Sequence, residues 1–121
     1  MESKKLIMLV DDNPANLRIG KNVLSEKYIV ATAPSAAKLF SLLENNRPVL
    51  ILLDIDMPGM DGYKAIEVLK LKPETKDIPV IFLTGMTDSS DEEKGRALGA
   101  VDYITKPFDP SALIACIGKY A

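Results

Sequence analysis

The sequence contains no histidine. Any mechanism that needs an imidazole base, nucleophile or metal ligand is therefore excluded within the chain. Carboxylates, hydroxyls and lysines are left to carry whatever chemistry it performs. Cys116 is the single cysteine, so no intramolecular disulfide can form and a reducing cytoplasm is the simplest setting. Long apolar runs are missing as well. Leu6–Val10 is too short for the core of a secretion signal, and no stretch is long enough to span a bilayer. No basic cluster stands out either. The 15 Lys and Arg residues face 17 Asp and Glu, for a formal net charge of −2, so nucleic acid is not an implied partner. No repeat, low-complexity stretch or internal linker divides the 121 residues. That length implies one domain burying roughly two thirds of its unfolded surface in a single core.

Short apolar runs alternate with helix-like segments. Lys5–Val10, Tyr28–Ala33, Val49–Leu53, Pro79–Leu83 and Val101–Thr105 read as strands by length and β-branched content. Pro14–Glu26, Ala36–Asn45, Tyr63–Leu71, Asp91–Leu98 and Pro110–Tyr120 read as helices. Asn13 before Pro14 has the form of an N-cap followed by proline at the first helical position. Ser35 and Asp109 are placed to cap the second and fifth helices. Gly99 fits a stop after Leu98. Strict alternation implies an α/β fold, a parallel sheet with helices on both faces and right-handed crossovers. The uniformly apolar "LIMLV" and "VLILL" suit central strands, whereas "YIVATA" and "VDYIT" suit edges. The simplest order is 2-1-3-4-5, which puts a crevice at the carboxyl ends of the first and third strands.

Acidic residues fall at that crevice. Asp11 and Asp12 follow the first strand and Asp54 follows the third, inside "ILLDIDMPGMDG" (Ile51–Gly62). Singly, each has an ordinary use as a helix cap or turn residue. Together they repel: a pair about 4 Å apart costs roughly 1 kcal/mol in water and about 4 kcal/mol at an effective dielectric near 20. Such a cluster calls for a cation, and an oxygen-only donor set points to Mg²⁺ rather than zinc. The fourth strand ends "VIFLTG", bringing Thr84 to the same rim, and the fifth ends "YITKPF", bringing Lys106. Cap, turn and solvated-lysine readings stand for these two as well. Yet a cation site, a hydroxyl and an ammonium around one crevice suit an anionic phosphoryl group.

Over essentially its full length the chain resembles the receiver domain of two-component response regulators. The pieces that carry the resemblance are "LVDDN", "LLDIDMPGMDG", "VIFLTG" and "DYITKPF", in that order. It implies a flavodoxin-like fold and a single receiver domain over residues 1–121. It implies that Asp54 accepts a phosphoryl group from a histidine kinase or histidine phosphotransfer protein. Asp11 and Asp12 would then be the acidic pair for Mg²⁺, and the Asp56 carbonyl a further ligand. Thr84 and Lys106 would contact the phosphoryl group, Tyr103 would match the aromatic switch position, and the Lys106–Pro107 bond would be cis. The output face would comprise the fourth helix, fifth strand and fifth helix. In that family, side chains two places after the phosphoacceptor and after the switch threonine border the path of attacking water. Here these are Asp56 and Met86, and a long-lived aspartyl phosphate is the expectation. The sequence leaves two other readings open. "DID" and "FLTG" also resemble motifs of haloacid-dehalogenase-type phosphatases, although that family's Asp-x-Asp lies near its first core strand. A degenerate receiver would serve as a binding module only.

Overall fold

A computed structural model describes residues 4–85 and 89–121. Five βα units follow one another: β1 (Lys5–Val10), α1 (Pro14–Leu24), β2 (Tyr28–Ala33), α2 (Ala36–Leu43), β3 (Leu50–Asp54), α3 (Gly62–Leu71), β4 (Val80–Thr84), α4 (Ser89–Leu98), β5 (Asp102–Thr105) and α5 (Pro110–Gly118). The strands form one sheet in the order β2-β1-β3-β4-β5, with every neighbouring pair parallel.

The alternation of side chains along each strand divides the core in two. Met8, Val10, Ile51, Leu53 and Phe82 face Leu39 of α2 and Ile66 and Leu69 of α3. Ile7, Leu9, Leu50, Leu52, Ile81 and Leu83 face Leu24 of α1 and Leu113 and Ile117 of α5. β3 and β4 are buried along their whole length, whereas β2 and β5 at the edges are only partly covered. No helix among the described residues is long and apolar enough to cross a membrane.

The helix caps are local. The side chains of Asn13, Ser35 and Asp109 accept from the backbone N–H of Ala15, Lys38 and Ala112. Gly99 takes φ +114°, which ends α4 in a conformation that costs glycine nothing.

Several boundaries differ from the sequence reading. α1, α2 and α5 stop at Leu24, Leu43 and Gly118. Beyond these points Lys27, Asn45 and Tyr120 donate only three residues back, to Leu24, Leu42 and Ile117, so the chain leaves through a tightened turn. β3 and β4 run one residue further than their apolar runs and include Asp54 and Thr84. The Ile55 N–H still donates to Leu83 O at 3.2 Å, so polarity marks the end of the core but not the end of the ladder. At the other ends, Val49, Pro79 and Val101 lie outside their strands. α3 begins at Gly62, capped by Asp61, and α4 begins at Ser89.

Candidate functional site

Because all five strands are parallel, their carboxyl ends share one rim, and the crevice opens where β1 and β3 lie side by side. Asp11 follows β1, Asp54 closes β3, Thr84 closes β4 and Lys106 follows β5. Asp11, Asp54 and Thr84 are buried, with Asp11 at 0% exposure and Asp54 at 1%. Asp12 is exposed. One carboxylate oxygen from each of Asp11, Asp12 and Asp54 lies within 4.8 Å of the others.

Lys106 spans the two buried acids. Its Nζ donates to Asp54 Oδ1 at 2.9 Å and approaches Asp11 Oδ2 at 3.4 Å. Asp11 is further fixed by the Asn13 N–H on Oδ1 at 2.9 Å and the Asn16 side-chain amide on Oδ2 at 3.2 Å. Asp54 Oδ1 also accepts from the Asp56 N–H at 3.3 Å. Asp54 Oδ2, in contrast, is buried and has no hydrogen-bond partner among the described residues. A buried acceptor left without a donor is costly. This one stands beside two further carboxylates.

Burial, and then the neighbouring Asp11 charge, push the Asp54 carboxyl from 3.8 up to about 6, although Lys106 pulls the other way. Burial alone would lower the Lys106 pKa. Its hydrogen bond to Asp54 and the charges of Asp11 and Asp54 overcome that effect and hold the ammonium above its ordinary range. The arrangement is short of positive charge. Hard oxygen donors, the 4.8 Å cluster and the orphaned Oδ2 fit a small divalent cation, and an incoming anion would find Lys106 beside it.

The remaining sequence candidates take separate places. Asp56 has an exposed side chain. Tyr103 is half-buried on β5, two residues before Thr105, and the Lys106–Pro107 bond is cis. Met86 lies outside the described residues. Two contributors escaped the sequence reading. Asn16 sits in the first turn of α1, and its spacing of five from Asp11 was a usable signal only once the helix start was known. Gly62 packs on the β3 backbone itself. A Cβ there would stand 2.5 Å from Asp54 O and 2.8 Å from Ile55 Cα. The Gly62 N–H donates to Ile55 O at 2.8 Å, pinning the start of α3 to the end of β3.

Residues 7–118 match the family model of the response regulator receiver domain. A probable cyclic di-GMP phosphodiesterase of Vibrio cholerae is 43% identical over 105 residues, which make up 87% of this chain and 24% of that protein. Response regulator PleD of Caulobacter vibrioides is 39% identical over 110 residues, covering 90% of this chain and 24% of that protein. The chain thus spans about a quarter of the length of these relatives. The solved structure of the Vibrio cholerae chemotaxis protein CheY4 shares the fold with a TM-score of 0.93 at 24% identity, over 98% of this chain and 100% of that one.

Proposed function

This chain belongs to the receiver-domain family of response regulators, a phosphorylation-controlled switch, and from that premise we propose that Asp54 is its phosphoacceptor. The observation that carries the assignment is the buried Asp54 carboxylate, with Lys106 on Oδ1 and nothing on Oδ2 among the described residues. We take residues 1–121 as one receiver unit acting in the cytoplasm. Its partner is a histidine kinase or histidine phosphotransfer protein, which must supply the phosphohistidine because this chain has no histidine.

An Asp54 oxygen attacks the phosphorus of the donor. The new O–P bond forms as the N–P bond to the partner's imidazole breaks, and the imidazole leaves with the bonding pair. Asp11, Asp12, Asp54 and the Asp56 carbonyl would hold Mg²⁺, which when bound supplies positive charge for the phosphoryl oxygens. Lys106 keeps its ammonium against the same group, and Asn13 and Asn16 hold Asp11 in place. Thr84, on the adjacent strand end, donates its hydroxyl to a phosphoryl oxygen. As Thr84 moves toward that oxygen, Tyr103 fills the space it leaves, which carries the change to the face made by α4, β5 and α5. The added group brings roughly −1.5 to −2 charge. The chain turns over no separate substrate in this scheme, since its chemistry is confined to its own aspartate.

The phosphatase alternative is not favoured: the Asp-x-Asp here closes the third strand, and the receiver family model matches residues 7–118. Intact-mass measurement after incubation with Mg²⁺ and acetyl phosphate tests the assignment. Wild type gains one phosphoryl group and Asp54→Asn gains none. Equal labelling of both proteins would refute Asp54, and no labelling of either would leave the chain a binding module.

A further inference from the structure

α4 is the most polar of the helices, and Leu98 is its one large apolar residue. Beneath it runs a row of three aromatic rings from α3 to β5. Tyr63 meets Phe82 edge-on with centroids 5.5 Å apart, and Phe82 meets Tyr103 at 5.8 Å. α4 rests on this row through three consecutive residues. The Lys94 ammonium lies 4.4 Å from the Tyr63 ring centroid, and the Arg96 guanidinium carbon lies 5.9 Å from that of Tyr103. Between them, Gly95 is buried directly over the junction of Phe82 and Tyr103. A methyl group built on Gly95 would run into the Tyr103 hydroxyl. It would also stand 2.8 Å from Tyr103 Cζ and 2.8 Å from Phe82 Cδ2.

Of these two rings only one can yield. Phe82 is fully buried, whereas Tyr103 lies half-buried on an edge strand. Phe82 pairs in register with Tyr103, and Thr84 with Thr105, so Thr84 is the diagonal neighbour of Tyr103 on one face of the sheet. Glycine is also a poor choice for a helix interior, where alanine would favour the helix. Here the space it leaves is filled by the tyrosine.

We propose that Gly95 is the seat of Tyr103: the missing side chain makes the docked position of the ring available and ties α4 to events at Thr84. Gly95 is thus a positioning residue for the switch. The link to phosphorylation rests on the reading of Asp54 above, but the seat is a property of the unmodified chain.

The test labels the four tyrosines with 3-fluorotyrosine, Tyr103→Phe assigning the Tyr103 signal in fluorine NMR. In Gly95→Ala the Tyr103 signal moves and broadens more strongly with a soluble paramagnetic agent, and the melting temperature falls by about 3 °C or more. In a Tyr103→Ala background the same substitution raises the melting temperature, because Phe82 gains room to tilt and alanine is the better helix former. A Gly95→Ala change that stabilises both backgrounds, or leaves the Tyr103 signal in place, overturns the proposal. With Mg²⁺ and acetyl phosphate, wild type and Gly95→Ala both gain one phosphoryl group, yet only in wild type does the Tyr103 signal leave its docked position on labelling. If wild type is not labelled, it is the Asp54 reading that fails, and the sign of the melting shifts still decides the seat.

Discussion

Asp54 is held in a place that suits its negative charge poorly, and the pH dependence of the metal-free protein should show it. In the folded chain the carboxyl titrates near 6, against 3.8 for the unperturbed group. Between those values the folded state binds a proton that the unfolded state does not. This contribution favours folding below about 3.8 and is lost as pH rises through about 6. At pH 7.5 the ionised carboxylate is therefore a burden of about 3 kcal/mol. Asp54→Asn keeps the shape and removes the charge. In chelator at pH 7.5 it should melt above wild type, and the difference should shrink as the pH is lowered from 7 to 4. A variant that melts below wild type at pH 7.5 would show that the Lys106 contact outweighs the burial and the repulsion.

At the scale of elements, local chemistry was easy to see and contacts between distant segments were not. Pro14 and Pro110 marked helix starts, Gly99 marked a stop, and the apolar runs gave five strands whose order followed from their polarity. Asp61 passed unnoticed as a cap because "MDG" reads equally well as a turn. The tightened ends of α1, α2 and α5 have no signature in composition. Gly62 and Gly95 looked like ordinary glycines, since what they touch lies on other elements. The cap assignment makes a clear test at the acidic pair. Asn13, not Asp12, accepts from Ala15 N–H, so Asn13→Ala should destabilise the metal-free protein by about 0.5–2 kcal/mol. Asp12→Ala should not lower its melting point in chelator. It should instead reduce the rise that Mg²⁺ produces, and a loss of stability without metal would return Asp12 to a capping role. Gly62→Ala should be worse than a loop substitution. The methyl group meets backbone atoms of Asp54 and Ile55, which cannot rotate away, at an expected cost of about 1–3 kcal/mol by denaturant melt. A neutral result would mean that the start of α3 slides freely on β3.

For the molecule as a whole, the cation and the fold should be linked. A ligand that binds only the folded chain adds about 2.7 kcal/mol at a hundred times its dissociation constant. Melting in rising Mg²⁺ should therefore climb steadily, and an absence of any shift at millimolar Mg²⁺ would contradict a cation site at the rim. The acids, the hydroxyl and the lysine were legible in the sequence as a set. Their spacing in the chain, however, gave no hint that Lys106 would bridge Asp11 and Asp54 and leave one oxygen bare.

That bridge has another consequence. Lys106 and Asp11 are 95 positions apart, and the residues around them come from the ends of β1, β3, β4 and β5. No fragment lacking Asp11 or Lys106 contains the whole pocket, and a chain synthesised only through β4 carries the acids and Thr84 without the lysine that bridges Asp11 and Asp54. A complete pocket therefore reports that β1, β3, β4 and β5 have been brought together. A copy cut before β5 lacks the Lys106 ammonium and leaves the buried carboxylates of Asp11 and Asp54 without their bridge.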